Sequence, residues 1–286
     1  MIRLSPVEFK QWAGFIYEMT GINLNEQKSY LIENRLQEML VENNCHSFQE
    51  LHGLCRRQDR ADLREIVINR ISTQETSFFR DPHVFSALTS MLLEEIIPAK
   101  RKEAGLKRPP RLRLWSAACA SGQEPYSLAI LLRETIKDLD RWDVQILASD
   151  LADNAFRKAS LGLYSNLEIQ RGLSPDLLKK YFVETPGNQW QVVDSVRGLM
   201  YFRKINLVAD SFLSLGVFDI IFCRNVAIYF DHETKIRLFT NLFNVLGPSG
   251  RLFIGATENL AYVLPQLKPT NRYNTFYYVN ELPANA

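Results

Sequence analysis

The sequence is poor in cysteine, carries almost no net charge and contains no long apolar run. Four cysteines occur among 286 residues and none forms a Cys-x-x-Cys pair, so a disulfide framework is excluded and reduced thiols are expected. A net charge of +2 excludes the global basic field of a nonspecific nucleic-acid-binding protein. The chain lacks both a signal-peptide core and a span of about 18 uncharged apolar residues. We therefore expect a cytoplasmic protein that does not insert into membranes.

Four side chains near the amino terminus are possible zinc ligands: Cys45, His46, His52 and Cys55. Their spacing is not that of a usual zinc knuckle. Phe48, Leu51 and Leu54 around them are typical of a helix core. The sequence therefore predicts a structural role for this cluster and no metal site.

The length and composition predict more than one folded unit. A single core stops growing at about 250 to 300 residues, and 46% hydrophobic with 23% charged residues is typical of a globular chain. We expect an N-terminal helical domain over residues 1–75 and a linker and helix over 76–110. A ligand-binding domain follows over 111–286, with a small β-subdomain inserted at about 165–205.

Helical periodicity dominates the first third of the chain. Apolar residues recur three and four apart from Pro6 to about Ile71, and a further helix is predicted from Asp81 to Ile97, ending before Pro98. The basic segment 100–110 is predicted to be a surface connection.

The pattern changes after Pro110 to alternating strands and helices, which indicates a doubly wound, mostly parallel α/β sheet. Helices are predicted at 124–136, 152–159, 175–181 and 231–246, and a turn at 247–250. The predicted strands are 111–115, 144–148, 218–222, 251–254 and 274–279. Residues 189–193 and 199–202 resemble small antiparallel strands of an insertion.

Candidate ligand-binding residues follow the first two strands, because ligands of such sheets bind beyond the carboxyl ends of the strands. Residues 117–122 (Ala-Ala-Cys-Ala-Ser-Gly) are small enough for a ligand to approach the backbone at a helix amino terminus. Asp150 stands where nucleotide-binding folds place a ribose-binding carboxylate. Each feature alone has a plain structural alternative, tight packing for the loop and helix capping for the acid.

The chain lacks the G-x-G-x-x-G motif of dinucleotide-binding proteins. A small-residue loop and a ribose-binding acid on a seven-stranded sheet instead suit S-adenosylmethionine. Glu124, one turn into the helix, is placed to receive the cationic part of that ligand, or is simply an acid favoured by the helix dipole.

Four motifs carry a family resemblance. They are Thr-x-Phe-Phe-Arg at 76–80, Trp-Ser-Ala-Ala-x-x-x-Gly-x-Glu-Pro-Tyr-Ser at 115–127, Ala-Ser-Asp at 148–150, and Phe-Cys-Arg-Asn-Val-x-Ile-Tyr-Phe at 222–230. In this order they resemble the chemotaxis receptor methyltransferases, the CheR family, over essentially the whole chain.

This resemblance implies a Rossmann-like methyltransferase sheet of seven strands with an inserted antiparallel β-subdomain, preceded by an all-α domain. It implies a protein-glutamate O-methyltransferase that transfers a methyl group from S-adenosylmethionine to glutamates on the cytoplasmic helices of chemoreceptors, leaving S-adenosylhomocysteine. The cofactor-binding positions implied by the family are Thr76, Arg80, Glu124, Asp150, Asn206, Leu207, Arg224 and Asn225, with Gln74 where the enteric enzymes have Asn.

Two residues are predicted to act on the transfer step. Since a glutamate carboxylate is already ionised at neutral pH, it needs positioning rather than a strong base. We predict that Arg80 holds one carboxylate oxygen and that the Tyr229 hydroxyl fixes the approach. The alternative for Arg80 is a surface ion pair, with Phe78 and Phe79 as plain core.

Two other functions stay open from the residues alone. A nucleic-acid methyltransferase on the same sheet usually has Asn/Asp-Pro-Pro-Tyr/Phe after the fourth strand, and residues 224–226 (Arg-Asn-Val) lack those prolines. A catalytically silent signalling module would bind a regulator through Arg56, Arg57, Arg60 and Arg64, although Asp59, Asp62 and Glu65 favour an ordinary solvated face.

Receptor recognition is predicted to depart from the family pattern in two places. The family's receptor-reading helix is basic, whereas Lys28 and Arg35 here stand beside Glu33, Gln37 and Glu38. Family members that dock on a pentapeptide at the receptor's carboxyl terminus resemble proteins that add such a peptide as an extra strand at the edge of a sheet, here the small inserted one. The turn at 184–188 is shorter than theirs by about three residues, so we predict no pentapeptide tether.

Overall fold

The computed structural model of the protein describes residues 2–280. Its first part is a bundle of four helices: α1 (Pro6–Thr20), α2 (Ser29–Glu42), α3 (Phe48–Cys55) and α4 (Ala61–Ile71). A capping box formed by Ser5 and Glu8 begins α1. The Ser5 hydroxyl accepts a hydrogen bond from the Glu8 backbone N–H, and the Glu8 carboxylate accepts one from the Ser5 backbone N–H. These helices confirm the all-α amino-terminal part.

Large apolar side chains fill the centre of this bundle. Trp12 is fully buried, and its indole N–H donates to the Phe48 carbonyl at 2.9 Å. His52 packs edge-on against Trp12, and Cys55 is buried, where burial raises the pKa of its thiol to about 11. Two of the four possible zinc ligands, His52 and Cys55, thus contribute to the packing of the bundle.

The next helix runs further than predicted. Helix α5 (Pro82–Met91) continues through a π-helical turn at Leu92–Ile96 into α6 (Ile97–Ala104), so the prediction that it ends before Pro98 is wrong. The Ile97 N–H donates five residues back to Leu92. Pro98 lies in the first turn of α6, where its missing N–H is tolerated. The predicted surface connection is limited to residues 105–110.

The remainder of the described chain forms a sheet flanked by helices and a smaller sheet. The helices are α7 (Gln123–Thr135), α8 (Asp153–Leu161), α9 (Asn166–Gln170), α10 (Pro175–Tyr181), α11 (Asp194–Arg197) and α12 (His232–Val245). The strands are β1 (Arg111–Ala117), β2 (Asp143–Asp150), β3 (Leu163–Ser165), β4 (Phe182–Thr185), β5 (Gln189–Val192), β6 (Met200–Lys204), β7 (Phe218–Cys223), β8 (Leu246–Ile254), β9 (Thr270–Arg272) and β10 (Thr275–Val279).

The large sheet has seven strands in the order β6-β2-β1-β7-β8-β10-β9. The pairs from β6 to β8 are parallel, and β10 is antiparallel to both neighbours. The small antiparallel sheet has the order β3-β5-β4. The predicted fold class is therefore confirmed.

Two predicted elements of this region are wrong. Residues 199–202 were expected in the small antiparallel sheet, but Met200–Lys204 forms β6 and pairs parallel with β2 at the edge of the large sheet. Residues 247–250 were expected as a turn, but they lie within β8. There they form an irregularity, because the pairing jumps from Phe218 with Leu246 to Ile220 with Arg251.

Among residues 2–280, no helix is both long enough and apolar enough to cross a membrane.

Candidate functional site

A cavity lies at the carboxyl ends of β1, β2 and β7. Its empty space is about 910 Å³, part of it open to solvent. The α/β part supplies the floor, and the helical part and the segment after α4 supply the roof. The lining residues that the sequence predicted are Thr76, Arg80, Glu124, Asp150, Asn206, Leu207, Arg224, Asn225 and Tyr229. Gln74 is half-buried and does not line the cavity.

The loop between β1 and α7 brings backbone close to the cavity. Ala118 and Ala120 have φ values of 59° and 49°, in the left-handed region that non-glycine residues rarely adopt. At Gly122, φ is 95° and a Cβ would lie 2.8 Å from the Tyr164 hydroxyl and 2.9 Å from the Ala159 Cα. The loop is therefore held tightly by its neighbours, and a larger residue than glycine does not fit at position 122.

Asp150 ends β2 and orders the same loop. One carboxylate oxygen accepts from the Ala120 N–H at 2.8 Å and the other from the Ala152 N–H at 2.9 Å. Burial raises the pKa of Asp150, and these backbone donors oppose the rise. Because each oxygen has further lone pairs, the carboxylate can also accept bonds from hydroxyls of a ligand.

Glu124 and Arg224 form a buried ion pair at the floor of the cavity. One Glu124 oxygen accepts from Arg224 at 3.1 Å, and the other from the Ser116 hydroxyl at 2.7 Å. The Arg224 side chain is 2% exposed and also pairs with Asp81. Its guanidinium donates to the Arg80 carbonyl at 3.2 Å as well. Arg224 thus joins three chain segments and holds the backbone that carries Arg80.

Arg80 follows two aromatic residues that anchor its segment. Phe78 is fully buried with its ring edge-on to Tyr164, and the Phe79 N–H donates to the Ser127 hydroxyl at 2.9 Å. The Arg80 guanidinium donates to the Glu75 carbonyl at 3.1 Å. No carboxylate within residues 2–280 forms an ion pair with it, so the alternative of a surface ion pair is not what the structure shows.

The helical part is joined to the cavity mouth through the end of α1 and the loop after it. The Asn23 N–H donates to the Tyr229 carbonyl at 2.8 Å, and the Asn206 side-chain amide donates to the Met19 carbonyl at 2.8 Å. Tyr17 and Thr234 share a hydroxyl hydrogen bond at 3.0 Å. The roof is therefore attached on the side where Tyr229 lines the cavity.

Sequence analysis missed the roof of the cavity and part of its apolar wall. Most of these residues come from the end of α1, the segment after α4 and the turns after β6 and β7: Thr20, Ile22, Ser72, Thr73, Ile205, Val226 and Phe230. Val226 and Phe230 belong to the motif at 222–230 but were not predicted to line the site, and the other five lie outside the four motifs. Only the docking of the helices on the sheet brings the first four to the cavity.

The lining residues suit S-adenosylmethionine. Two carboxylates, Asp150 and Glu124, face a mixed wall that includes the apolar Ile205 and Leu207. The loop at the α7 amino terminus presents small residues rather than a glycine-rich phosphate cradle. The donors and acceptors thus match a nucleoside with a cationic sulfonium better than a dinucleotide.

The four arginines considered as a regulator-binding patch are engaged locally. Arg57 pairs with Asp59 at 2.9 Å and Arg60 with Asp62 at 3.0 Å. Arg56 pairs with Glu18 at 3.2 Å, and Arg64 donates to the Arg57 carbonyl at 2.7 Å. Arg56, Arg57 and Arg60 lie in the turn between α3 and α4 and only Arg64 lies within a helix, so the predicted single helix face is not what the structure shows. These contacts are those of a solvated surface.

Comparison with known families assigns both parts of the chain. Residues 7–72 match the model described as CheR methyltransferase, all-alpha domain. Residues 74–273 match the model described as CheR methyltransferase, SAM binding domain. The second match supports S-adenosylmethionine as the cofactor.

Similar proteins have nearly the same length. The chain is 38% identical over 258 residues to the chemotaxis protein methyltransferase Cher2 of Pseudomonas putida, covering 89% of this chain and 90% of that one. It is 40% identical over 256 residues to chemotaxis protein methyltransferase 1 of Pseudomonas aeruginosa, covering 88% and 90%. A chemotaxis protein methyltransferase of Vibrio parahaemolyticus is 35% identical over 261 residues, covering 91% of each. The chain therefore belongs to the CheR methyltransferase family and binds S-adenosylmethionine.

Proposed function

We propose that the protein transfers the methyl group of S-adenosylmethionine to glutamate side chains on the cytoplasmic helices of chemoreceptors. The observation that carries this proposal is Arg80. Arg80 lines the same cavity as Asp150 and Tyr229, and no carboxylate within the described residues forms an ion pair with its guanidinium. A cation in that position suits an acidic acceptor.

The lining residues favour a reaction without a general base. They include no histidine, and the thiol of Cys119 stays neutral because burial raises its pKa far above the ordinary value. A glutamate has a pKa near 4.3, so its carboxylate is ionised at neutral pH and is itself the nucleophile. When bound, S-adenosylmethionine supplies an electrophilic methyl on a sulfonium. The new bond joins that methyl to a carboxylate oxygen, the broken sulfur–methyl bond leaves a neutral thioether, and the product is a neutral ester.

Positioning and exclusion of water must supply most of the acceleration. Arg80 holds one oxygen of the acceptor carboxylate, and the Tyr229 hydroxyl orients the other. The Asp150 carboxylate accepts hydrogen bonds from the ribose hydroxyls of the cofactor, and Glu124 faces its cationic end. Ile22 and Phe230 line the cavity beside Tyr229 and reduce its access to water.

The position of α2 beside the cavity supports direct recognition of the methylation helices. The helix offers fewer free cations than its sequence suggests. The Arg35 guanidinium donates to the carbonyls of Arg70 and Ile71 at the end of α4. Lys28, Arg35 and Tyr229 line a second, smaller cavity next to the first. An acidic receptor helix lying there would reach Tyr229 from the outside.

The proposal is tested by methyl transfer from labelled S-adenosylmethionine onto purified receptor cytoplasmic fragments, with RNA and DNA as parallel acceptors. We expect label on the receptor only, released as methanol by mild base because carboxyl esters are base-labile. A receptor fragment with its methylation-site glutamates changed to alanine is the matched control and should stay unlabelled. Label on nucleic acid, or base-stable label on protein, would contradict the proposal.

Tyr229→Phe should separate orientation of the acceptor from binding of the cofactor. The ring packs against the apolar core around β7 and its hydroxyl has no partner among the described residues, so the variant should fold normally. We expect turnover to fall about 2- to 12-fold, as one hydrogen bond is worth roughly 0.5 to 1.5 kcal/mol. The affinity for S-adenosylhomocysteine should change by less than about threefold. Wild-type turnover would show that Tyr229 is only a core residue.

The small sheet bears on the predicted absence of a pentapeptide tether. Glu184 and Thr185, expected in the turn, are paired residues of β4, so the turn consists of residues 186–188 only. The outer edge of β4 is open, but Pro186 directly after it has no N–H to donate. Calorimetric titration with carboxyl-terminal pentapeptides of receptors from the same organism should give no binding at micromolar concentrations. Micromolar binding of any of them would overturn this prediction.

A further inference from the structure

A carboxylate outside the predicted site joins the ends of two neighbouring strands. Glu258 lies in the turn after β8, and one of its oxygens accepts from the Asn225 N–H at 2.9 Å and from the Gly255 N–H at 2.6 Å. Strands β7 and β8 are parallel neighbours, with Cys223 opposite Ile254. A single oxygen of Glu258 therefore holds the backbone at the carboxyl ends of both strands.

Asn225 has a backbone conformation that this contact stabilises. Its φ is 59°, in the left-handed region, which non-glycine residues rarely adopt although asparagine tolerates it better than most. Asn225 lines the cavity together with its neighbours Arg224 and Val226, and its side-chain nitrogen lies close to Gly255. The direction of that side chain depends on the backbone conformation, so the N–H bond to Glu258 helps to decide which group faces the cavity.

The two strand ends approach each other closely at Gly255. A Cβ at Gly255 would lie 2.8 Å from the Asn225 side-chain nitrogen and 2.8 Å from the bonded Glu258 oxygen. Glycine at 255 is what lets the carboxylate and the Asn225 amide lie side by side. The arrangement thus depends on three residues, of which only Asn225 lines the cavity.

Glu258 is also costly to keep in this place. Its other oxygen, Oε1, is buried and has no hydrogen-bond partner within residues 2–280. A buried carboxylate with one oxygen lacking a hydrogen bond lowers the stability of the fold. Such a group needs an explanation, which here is the pair of hydrogen bonds made by its other oxygen. Bonds from backbone N–H groups to an ionised carboxylate are about twice as strong as those to a neutral acceptor. A charged acceptor therefore holds Asn225 better than an isosteric amide would.

We propose that Glu258 is a positioning residue that keeps Asn225 in its left-handed conformation and its side chain in the cofactor cavity. The inference rests on the proposed function only in taking this cavity as the place of methyl transfer. Glu258 itself does not line the cavity. It acts through the backbone of Asn225.

The test is a double-mutant cycle with Glu258→Gln and Asn225→Gly, read as S-adenosylhomocysteine affinity by calorimetry. We expect Glu258→Gln to weaken binding about 3- to 10-fold and Asn225→Gly about 10-fold. The double variant should bind like Asn225→Gly alone, because no side chain is then left to position. The proposal would be overturned if the double variant lost affinity by the product of the two single losses, or if Glu258→Gln bound with wild-type affinity.

Two controls keep the result interpretable. Glu233→Gln removes an exposed carboxylate from the first turn of α12 and should leave affinity unchanged. Thermal unfolding of each variant reports any loss of fold. If Glu258→Gln does not fold, Glu258→Asp replaces it in the cycle, since the shorter side chain cannot reach both N–H groups. Because calorimetry needs no receptor, a wild-type enzyme that fails to methylate receptor glutamates would contradict the proposed function and leave the coupling of Glu258 to Asn225 measurable.

Discussion

Asp150→Ala is expected to weaken S-adenosylhomocysteine binding by about 10- to 150-fold, because hydrogen bonds to a charged group are worth roughly 1.5 to 3 kcal/mol. The expected loss has two sources. The ribose hydroxyls lose their acceptor, and the N–H groups of Ala120 and Ala152 lose the carboxylate that orders the small-residue loop. Calorimetry on the folded variant measures the sum.

Two further variants serve as an intermediate case and a control. Asp150→Asn keeps one oxygen as acceptor and should lose less affinity than Asp150→Ala. Asp153→Asn removes a nearby carboxylate that pairs with Arg157 at 2.6 Å and does not line the cavity, so it should bind normally. Since burial raises the pKa of Asp150, wild-type affinity should also decline as the pH is lowered through that raised value. Unchanged affinity of Asp150→Ala would reject its assignment to the ribose.

Arg80→Ala should have the largest effect on catalysis, a loss of about 100-fold or more in kcat/KM for methyl transfer to receptor. Its guanidinium is the cation proposed to hold the acceptor carboxylate, and a planar fork binds a carboxylate in a fixed orientation. Arg80→Lys keeps the charge without the fork and should recover only part of the rate. Because Arg80 is also a predicted cofactor residue, S-adenosylhomocysteine affinity must be measured alongside.

Arg111→Ala is the matched control for Arg80. Arg111 is exposed at the start of β1, at the opposite end of that strand from the cavity, and its loss should leave kcat/KM unchanged. Wild-type activity of Arg80→Ala would reject the role of Arg80 and remove the main support for an acidic acceptor.

The sequence predicted best those elements whose residues have a uniform pattern of burial. Strand β7 is a nearly continuous apolar run and was predicted within one residue. Strand β6 was misplaced because it is an edge strand with an exposed, polar end, and its alternation resembles that of an antiparallel strand. Its true partner, β2, lies about fifty residues earlier, with Ile146 opposite Met200. Nothing in the local pattern of β6 identifies that partner.

The residues of the candidate site also divide into those that the sequence predicted and those that it did not. Asp150, at the end of β2, was predicted because parallel strands place their carboxyl ends together. Asn225 was predicted only through the family resemblance of the motif at 222–230. Thr20 and Ser72 were missed because they line the cavity only through the docking of one folded unit on another. Glu258 was missed because its contact is with backbone N–H groups, which leave no mark in the sequence of their own residues.

The attachment of the helical bundle over the cavity has a consequence for thermodynamic linkage. A ligand between the bundle and the sheet contacts both, so its binding free energy stabilises both against unfolding by RT ln(1 + [L]/Kd). Separating the bundle from the sheet would break the bonds of Asn23 to Tyr229 and of Asn206 to Met19 and would expose the ligand. Added S-adenosylhomocysteine should therefore make the two parts melt as one cooperative unit.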